Sequence, residues 1–304
     1  SAAGIHGVPG IVADGINISV DRELLIDAVD GSVKVQDSSL ALRPWHGQGG
    51  SLSLLGSEVL VEGTSQLLAT GSKGGGLIQV GGSWQNSNLE VRQAVRTAFG
   101  SGALADASAI DHGNGGTVVL WSDVFNSSSF TTATGNLIAE AGRQGGDGGR
   151  LETSGYHLDL AGLRVSTMAT KGKTGVWLLD PSDITITNTT PTIQGVGTNP
   201  VVFSTGGNTA EVNVVDLQNA LGASNVEITT AGAGNGSGDI TLASAVAVNS
   251  ATTLTLKADR NIVLNANYSQ SGLGWLELLA GQGQQVTGGV SGSGNVSLNG
   301  GSLV

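Results

Sequence analysis

Gly115-Gly116-Thr117-Val118-Val119-Leu120-Trp121-Ser122-Asp123 sets a glycine pair directly before a β-branched, apolar run, and this unit returns in altered form along the first half of the chain. It recurs at Gly49-Gly50-Ser51-Leu52-Ser53-Leu54, Gly75-Gly76-Leu77-Ile78-Gln79-Val80, Gly148-Gly149-Arg150-Leu151-Glu152-Thr153 and Thr174-Gly175-Val176-Trp177-Leu178-Leu179. The second glycine falls at 50, 76, 116, 149 and 175, in steps of 26, 40, 33 and 26 residues. A unit of roughly 20–26 residues interrupted by loops of variable length is the mark of a repeat architecture. The glycine pair favours a parallel β-helix over a sandwich or propeller, because stacked coils leave no room for a Cβ where the backbone turns between strands about 4.8 Å apart.

Outside these units the chain alternates apolar and polar residues, the period of half-buried strands. Ile16, Ile18 and Val20, Leu40 and Leu42, Leu158 and Leu160, Leu254 and Leu256, and Leu276 and Leu278 follow it, with Gly, Asn, Asp and Ser between them. Those residues supply positive φ or local side-chain bonds at corners. Two stretches read as helical: 214–221, where Leu217 and Leu221 share a face and Gly222 follows, and, more weakly, 91–99.

Gly makes up 50 of 304 residues, charged residues 12 % and hydrophobic residues 39 %, too apolar and too regular for a disordered linker. No cysteine is present, which excludes disulfides, thiolate metal sites and a cysteine nucleophile. A formal charge of −11 with Lys and Arg scattered singly argues against a nucleic-acid partner. No apolar run reaches the length of a spanning helix, so no membrane span is expected. The opening Ser1-Ala2-Ala3-Gly4-Ile5-His6 lacks the basic and apolar regions of a signal peptide, so any export signal is expected upstream or already cleaved.

The run Gly115 to Asp123, then Gln144-Gly145-Gly146-Asp147-Gly148-Gly149, Glu152-Thr153-Ser154-Gly155, Leu158-Asp159-Leu160 and Trp177-Leu178-Leu179-Asp180-Pro181-Ser182-Asp183-Ile184-Thr185-Ile186 resembles the filamentous-haemagglutinin-like exoproteins, including the high-molecular-weight adhesins of two-partner secretion. The resemblance spans about residues 45–304 and is most specific at Trp177 to Ile186; the family's N-terminal secretion domain is absent from it. It implies a right-handed parallel β-helix, export through an outer-membrane partner, a place on the bacterial surface, and a role as adhesin shaft or fibre.

The resulting expectation is an all-β, right-handed parallel β-helix with loop insertions and one short helix. Residues 1–186 form a glycine-pair shaft ending in the Trp-Leu-Leu-Asp-Pro segment; residues 187–304 form an excursion with a helix near 214–221, then further coils. The function expected is a non-catalytic shaft in attachment or biofilm, with a host-cell or matrix glycan or protein as partner and no cofactor or metal. A structural filament built from copies of the chain is the alternative, because the strand pattern persists to Val304 without a polar cap. A polysaccharide-active enzyme would need clustered acids; Asp14, Asp21, Glu23, Asp27, Asp30 and Asp37, and Asp106 with Asp111, read as solvated surface.

Trp84, Trp121 and the insertion at 86–112 are the places expected to meet a partner. Trp45, Trp177 and Trp275 are expected inside or near corners. Trp177, Asp180 and Pro181 read as a structural motif: Pro181 cannot continue a ladder, and Asp180 is expected to bond nearby backbone donors. Gly145 to Leu151 resembles a calcium-binding nonapeptide, but Arg150 replaces its ligand, so a turn is expected. His6, His46, His112 and His157 show no metal-ligand spacing, and His157 should point outward. Sequons stand at Asn17, Asn126, Asn188, Asn235, Asn267 and Asn295.

Overall fold

A computed structural model describes residues 2–6, 10–188, 210–230, 237–281, 283–286, 290–292 and 295–299. Asn235 and residues 300–304, with the uncapped strand pattern at Val304, lie outside the described residues. The protein is 51 % strand, its sheets are parallel, and Val214–Leu221 is the one α-helix among the described residues.

The strands stack in three ladders. The first joins Glu23–Gln36, Ser51–Glu62, Leu77–Val80, Thr117–Trp121, Arg150–Ser154, Val176–Asp180, Asn225–Thr229, Leu254–Ala258, Trp275–Ala280 and Asn295–Asn299, each parallel to the next. Register is kept throughout: Leu24, Leu52, Ile78, Val118, Leu151, Trp177, Val226, Leu254 and Leu276 form one row, all buried. Two residues on, Ile26, Leu54, Val80, Leu120, Thr153, Leu179, Ile228, Leu256 and Leu278 form a second buried row. Period-two alternation puts both rows on one face, and each buried aliphatic side chain contributes about 1.5–3 kcal/mol.

The second ladder runs through Gly10–Asp14, the latter parts of Glu23–Gln36 and Ser51–Glu62, Arg96–Phe99, Phe130–Ala133 and His157–Asp159. Ala210–Asn213 then comes between His157–Asp159 and Ile184–Thr187, out of chain order, before Ile240–Leu242, Asn261–Leu264 and Gly283–Val286 continue it. The third ladder is split. Six strands from Asn17–Asp21 to Arg164–Ser166 form one sheet, and Val246–Val248, Tyr268–Gln270 and Val290–Gly292 form another. Val214–Leu221 packs against both Arg164–Ser166 and Val246–Val248, so a helix occupies the gap. Its side chains Val214, Leu217, Ala220 and Leu221 are buried, and Asn213 caps it by accepting from the Val215 N–H at 2.8 Å.

The repeated glycines make the corner between the third and first ladders. The second glycine of each pair donates its N–H to the preceding corner carbonyl: Gly76 to Ala69, Gly116 to Ala107 and Gly149 to Ala139, each at 2.8 Å, and Gly175 to Thr167 at 2.9 Å. Successive corners lie so close that a Cβ on Gly116 would stand 2.0 Å from the Gly76 carbonyl oxygen. The main hydrophobic core crosses the 186/187 boundary, because Val176–Asp180 and Ile184–Thr187 both pair with strands beyond it.

The 86–112 insertion, expected to meet a partner, is partly built into the ladders. Arg96–Phe99 and Leu104–Asp106 are regular ladder strands, and the weak helical signal over 91–99 ends in one of them. Pairing of Arg96–Phe99 on both edges overrides the local propensity.

Candidate functional site

On the first ladder, the face opposite the core carries the row Ser53, Gln79, Val119, Glu152, Leu178, Glu227, Thr255 and Glu277. An uncovered sheet would leave this row in water, yet Val119 and Glu152 have no exposed surface. Residues 81–95 account for it, lying back across this face as a strap. Ala94 N–H donates to Gly81 O at 2.7 Å, closing the strap at its base. Arg92 Nε bonds Asp27 Oδ1 at 3.0 Å, tying it to an earlier strand.

The strap brings the two tryptophans together. Trp84, in a 3₁₀ turn with Gln85 and Asn86 in the left-handed region, packs against Val119, Trp121 and Val124. Trp121 Nε1–H donates to Gln93 Oε1 at 3.0 Å. A Cβ at Gly82 would lie 2.4 Å from the Trp121 ring, so the strap needs glycine there. Trp121 is consequently 1 % exposed and cannot offer its indole to a partner, contrary to expectation. Trp84 remains half-buried, with the Arg150 guanidinium carbon 4.5 Å from its ring centroid.

Glu152 lies beneath this cover. Its Oε2 accepts from Gln85 N–H at 2.9 Å and its Oε1 pairs with the Ser154 hydroxyl at 2.8 Å. Burial pushes its carboxyl up to about 8; the two hydrogen bonds and Arg150 oppose that push, and Asp180 adds to it. Asp180, register partner of Ser154 on the neighbouring strand, is likewise pushed up to about 7 by burial, with Lys257 opposing and Glu227 adding. A carboxyl whose pKa is raised towards neutrality is a candidate for acid–base chemistry. Here Glu152 has no solvent-exposed surface, and both of its oxygens are engaged by the protein. It serves as an internal anchor for the strap.

Trp177 points into the core row, 2 % exposed, and its Nε1–H donates to Thr153 Oγ1 at 3.1 Å. Thr153 is the one polar member of its row, and this bond explains it. Pro181 is buried directly after the strand, where it ends the ladder. The Asp180 carboxyl lies on the outward face, in register with Ser154 and Trp121.

The other acids do not converge. Asp21 pairs with Arg43 and Asp111 with Arg143, both at 2.9 Å; Asp37 accepts from Thr64 N–H and Asp106 from Ser108 N–H, also at 2.9 Å. Asp147 accepts from Lys173 N–H at 2.8 Å, which makes Gly145 to Leu151 a stacked corner. His157 turns away from the core, its Nε2 3.1 Å from Ser127 O and its ring near Phe130 and Tyr156. Among the described residues, no three His, Asp or Glu side chains gather to hold a metal ion, and no helix is long and apolar enough to cross a membrane.

Sequence reasoning missed Glu152, Gln85, Gln93 and Arg150. The alternation marks Glu152 as outward, but nothing local signals that residues 81–95 return over it. No family model and no curated protein matches this chain.

Proposed function

We propose that the ladders are the three faces of a right-handed parallel β-helix, and that the chain is a length of secreted adhesin shaft of the filamentous-haemagglutinin-like kind. The observation that carries this is the unbroken register of two buried rows from Leu24 to Leu276 and from Ile26 to Leu278, apolar but for Thr153. Such rows extend a core along one axis, which suits a stalk. The chain reaches the bacterial surface through an outer-membrane two-partner transporter and attaches to a host-cell or matrix glycan or protein by its loops and faces. It is not an enzyme, a reading supported by the complete burial of Glu152, both of whose carboxyl oxygens are engaged by the protein.

Small-angle scattering and negative-stain microscopy, with attachment assays on epithelial cells and matrix-coated surfaces, test this together. A rod that attaches above a heat-denatured control supports the proposal. A compact particle with near-equal axes refutes the solenoid, and an absence of attachment refutes the adhesin. End-to-end polymers without attachment would identify a structural filament instead.

A further inference from the structure

Where the chain leaves Ser39–Arg43 for Ser51–Glu62, it makes a small hairpin. Trp45 and Gln48 exchange backbone hydrogen bonds, each 2.9 Å, around His46 and Gly47, whose φ angles are +52° and +87°. Positive φ at both central residues is the signature of a type I′ turn. The hairpin holds the Trp45 indole 52 % exposed. The His46 ring meets it edge-on, centroids 4.7 Å apart, and the Arg22 guanidinium carbon lies 5.5 Å from its centroid. Gln48 Nε2 donates to Lys73 O at 3.2 Å, stiffening the base of the turn.

Arg22, Trp45, His46 and Gln48, with Glu23 and Gly49 to Ser51, line a cavity of about 550 Å³, within the range of small-ligand sites. Arg22 has φ +70°, so two non-glycine residues at this one cavity hold a left-handed backbone. Such conformations persist where the surroundings impose them, and they concentrate at binding sites. The cavity thus offers a fixed, wet aromatic face beside a cationic donor, Arg22, and an anionic acceptor, Glu23. A pyranose presents the complement: an apolar C–H face with hydroxyls around it that both donate and accept. The opposed charges of Arg22 and Glu23 leave the rim without net sign, and the chain's charge of −11 disfavours polyanions.

We infer that the Trp45 cavity binds a neutral oligosaccharide, one ring stacking on the indole while Arg22 and Glu23 engage its hydroxyls. This deepens the adhesin reading and rests on it only for where the sugar is met.

The test is titration of the full chain with maltotetraose, cellotetraose and mannotetraose, followed by saturation-transfer NMR and calorimetry, with tetragalacturonate and a neutral tetrapeptide as contrasts. At least one neutral sugar is expected to saturate with a dissociation constant of about 1 mM or tighter. Trp45→Ala should weaken it about tenfold, and Glu23→Gln about threefold. Trp275→Ala, at another half-exposed indole, should leave it unchanged. Should Trp45→Ala fail to fold by circular dichroism, Trp45→Phe takes its place, with weakened binding expected. Three results overturn the inference: no neutral sugar binds, tetragalacturonate or the peptide binds more tightly, or binding survives loss of the indole. Attachment to cells without sugar binding overturns this site and leaves the adhesin reading; sugar binding at Trp45 without attachment does the reverse.

Discussion

Replacing Glu152 by Gln should remove most of one pH dependence from the stability of this protein. The carboxyl is fully buried under the strap, and burial raises its pKa from 4.5 to about 8. The folded state therefore holds its proton across a range in which the unfolded chain releases it, so stability falls as pH rises. The contribution is fully present below pH 4.5, is lost as pH climbs through about 8, and is constant above that. At about 1.4 kcal/mol per pH unit, the loss amounts to about 4–5 kcal/mol. Gln keeps the acceptor for the Gln85 N–H and cannot ionise. In urea titrations followed by tryptophan fluorescence, Glu152 should account for roughly 1–1.5 M of the wild type's fall in midpoint between pH 5 and 9, given a slope of ~3 kcal/mol/M. Glu152→Gln should match the wild type within about 1 kcal/mol at pH 5 and exceed it at pH 9. A smaller decline should persist in the variant, because the raised pKa of Asp180 has the same sign. A wild-type midpoint that is flat from pH 5 to 9, or a variant with the wild-type slope, would refute the buried-acid argument.

Leu256→Asp places a charge in the core row and should cost about 3–5 kcal/mol, whereas Thr255→Asp, on the opposite face between Glu227 and Glu277, should cost under about 2 kcal/mol; equal losses by urea denaturation would reverse the assigned faces. Thr153→Val leaves the Trp177 indole N–H without its acceptor and should cost about 1–3 kcal/mol, with a change in near-ultraviolet circular dichroism; an unchanged midpoint would detach Thr153 from Trp177. Gly116→Ala forces a methyl against the Gly76 carbonyl and should cost on the order of 3 kcal/mol or more, while a neutral result would mean that the corners are looser than the stacking distance implies.

The glycine pairs and the alternation make the first ladder legible from residues alone, because register and close backbone approach leave local marks. The helix at Val214–Leu221 is legible too, from its spacing and Gly222. What eludes a local reading is contact between distant segments. Trp121 alternates outward and was expected to be exposed, but its cover comes from the strap some thirty residues earlier, around Gly82 and Gln93. Residues 91–99 have helical composition, and only pairing with Glu58 to Val61 and with Phe130–Ala133 makes part of them a strand. Trp45 and Trp275 do stand beside bends, yet half-exposed, because a bend's position does not reveal which way it aims a side chain. Glu152 looks like any surface acid until its surroundings are assembled.

The place of Ala210–Asn213 between His157–Asp159 and Ile184–Thr187 governs the timetable of assembly. A chain appearing from its N-terminus can lay down the second ladder one strand after another as far as Asp159. The next position then waits, for the segment that fills it follows Ile184–Thr187 in the chain and precedes it in the stack. Thermodynamically the detour is slight, since doubling a loop's length costs only about 0.6 kcal/mol. Its effect is temporal: on this ladder, strands on the far side have a finished edge to build upon only after residue 213 has arrived, so in-order growth of the second ladder pauses here while the first can still add Val176–Asp180 to Arg150–Ser154.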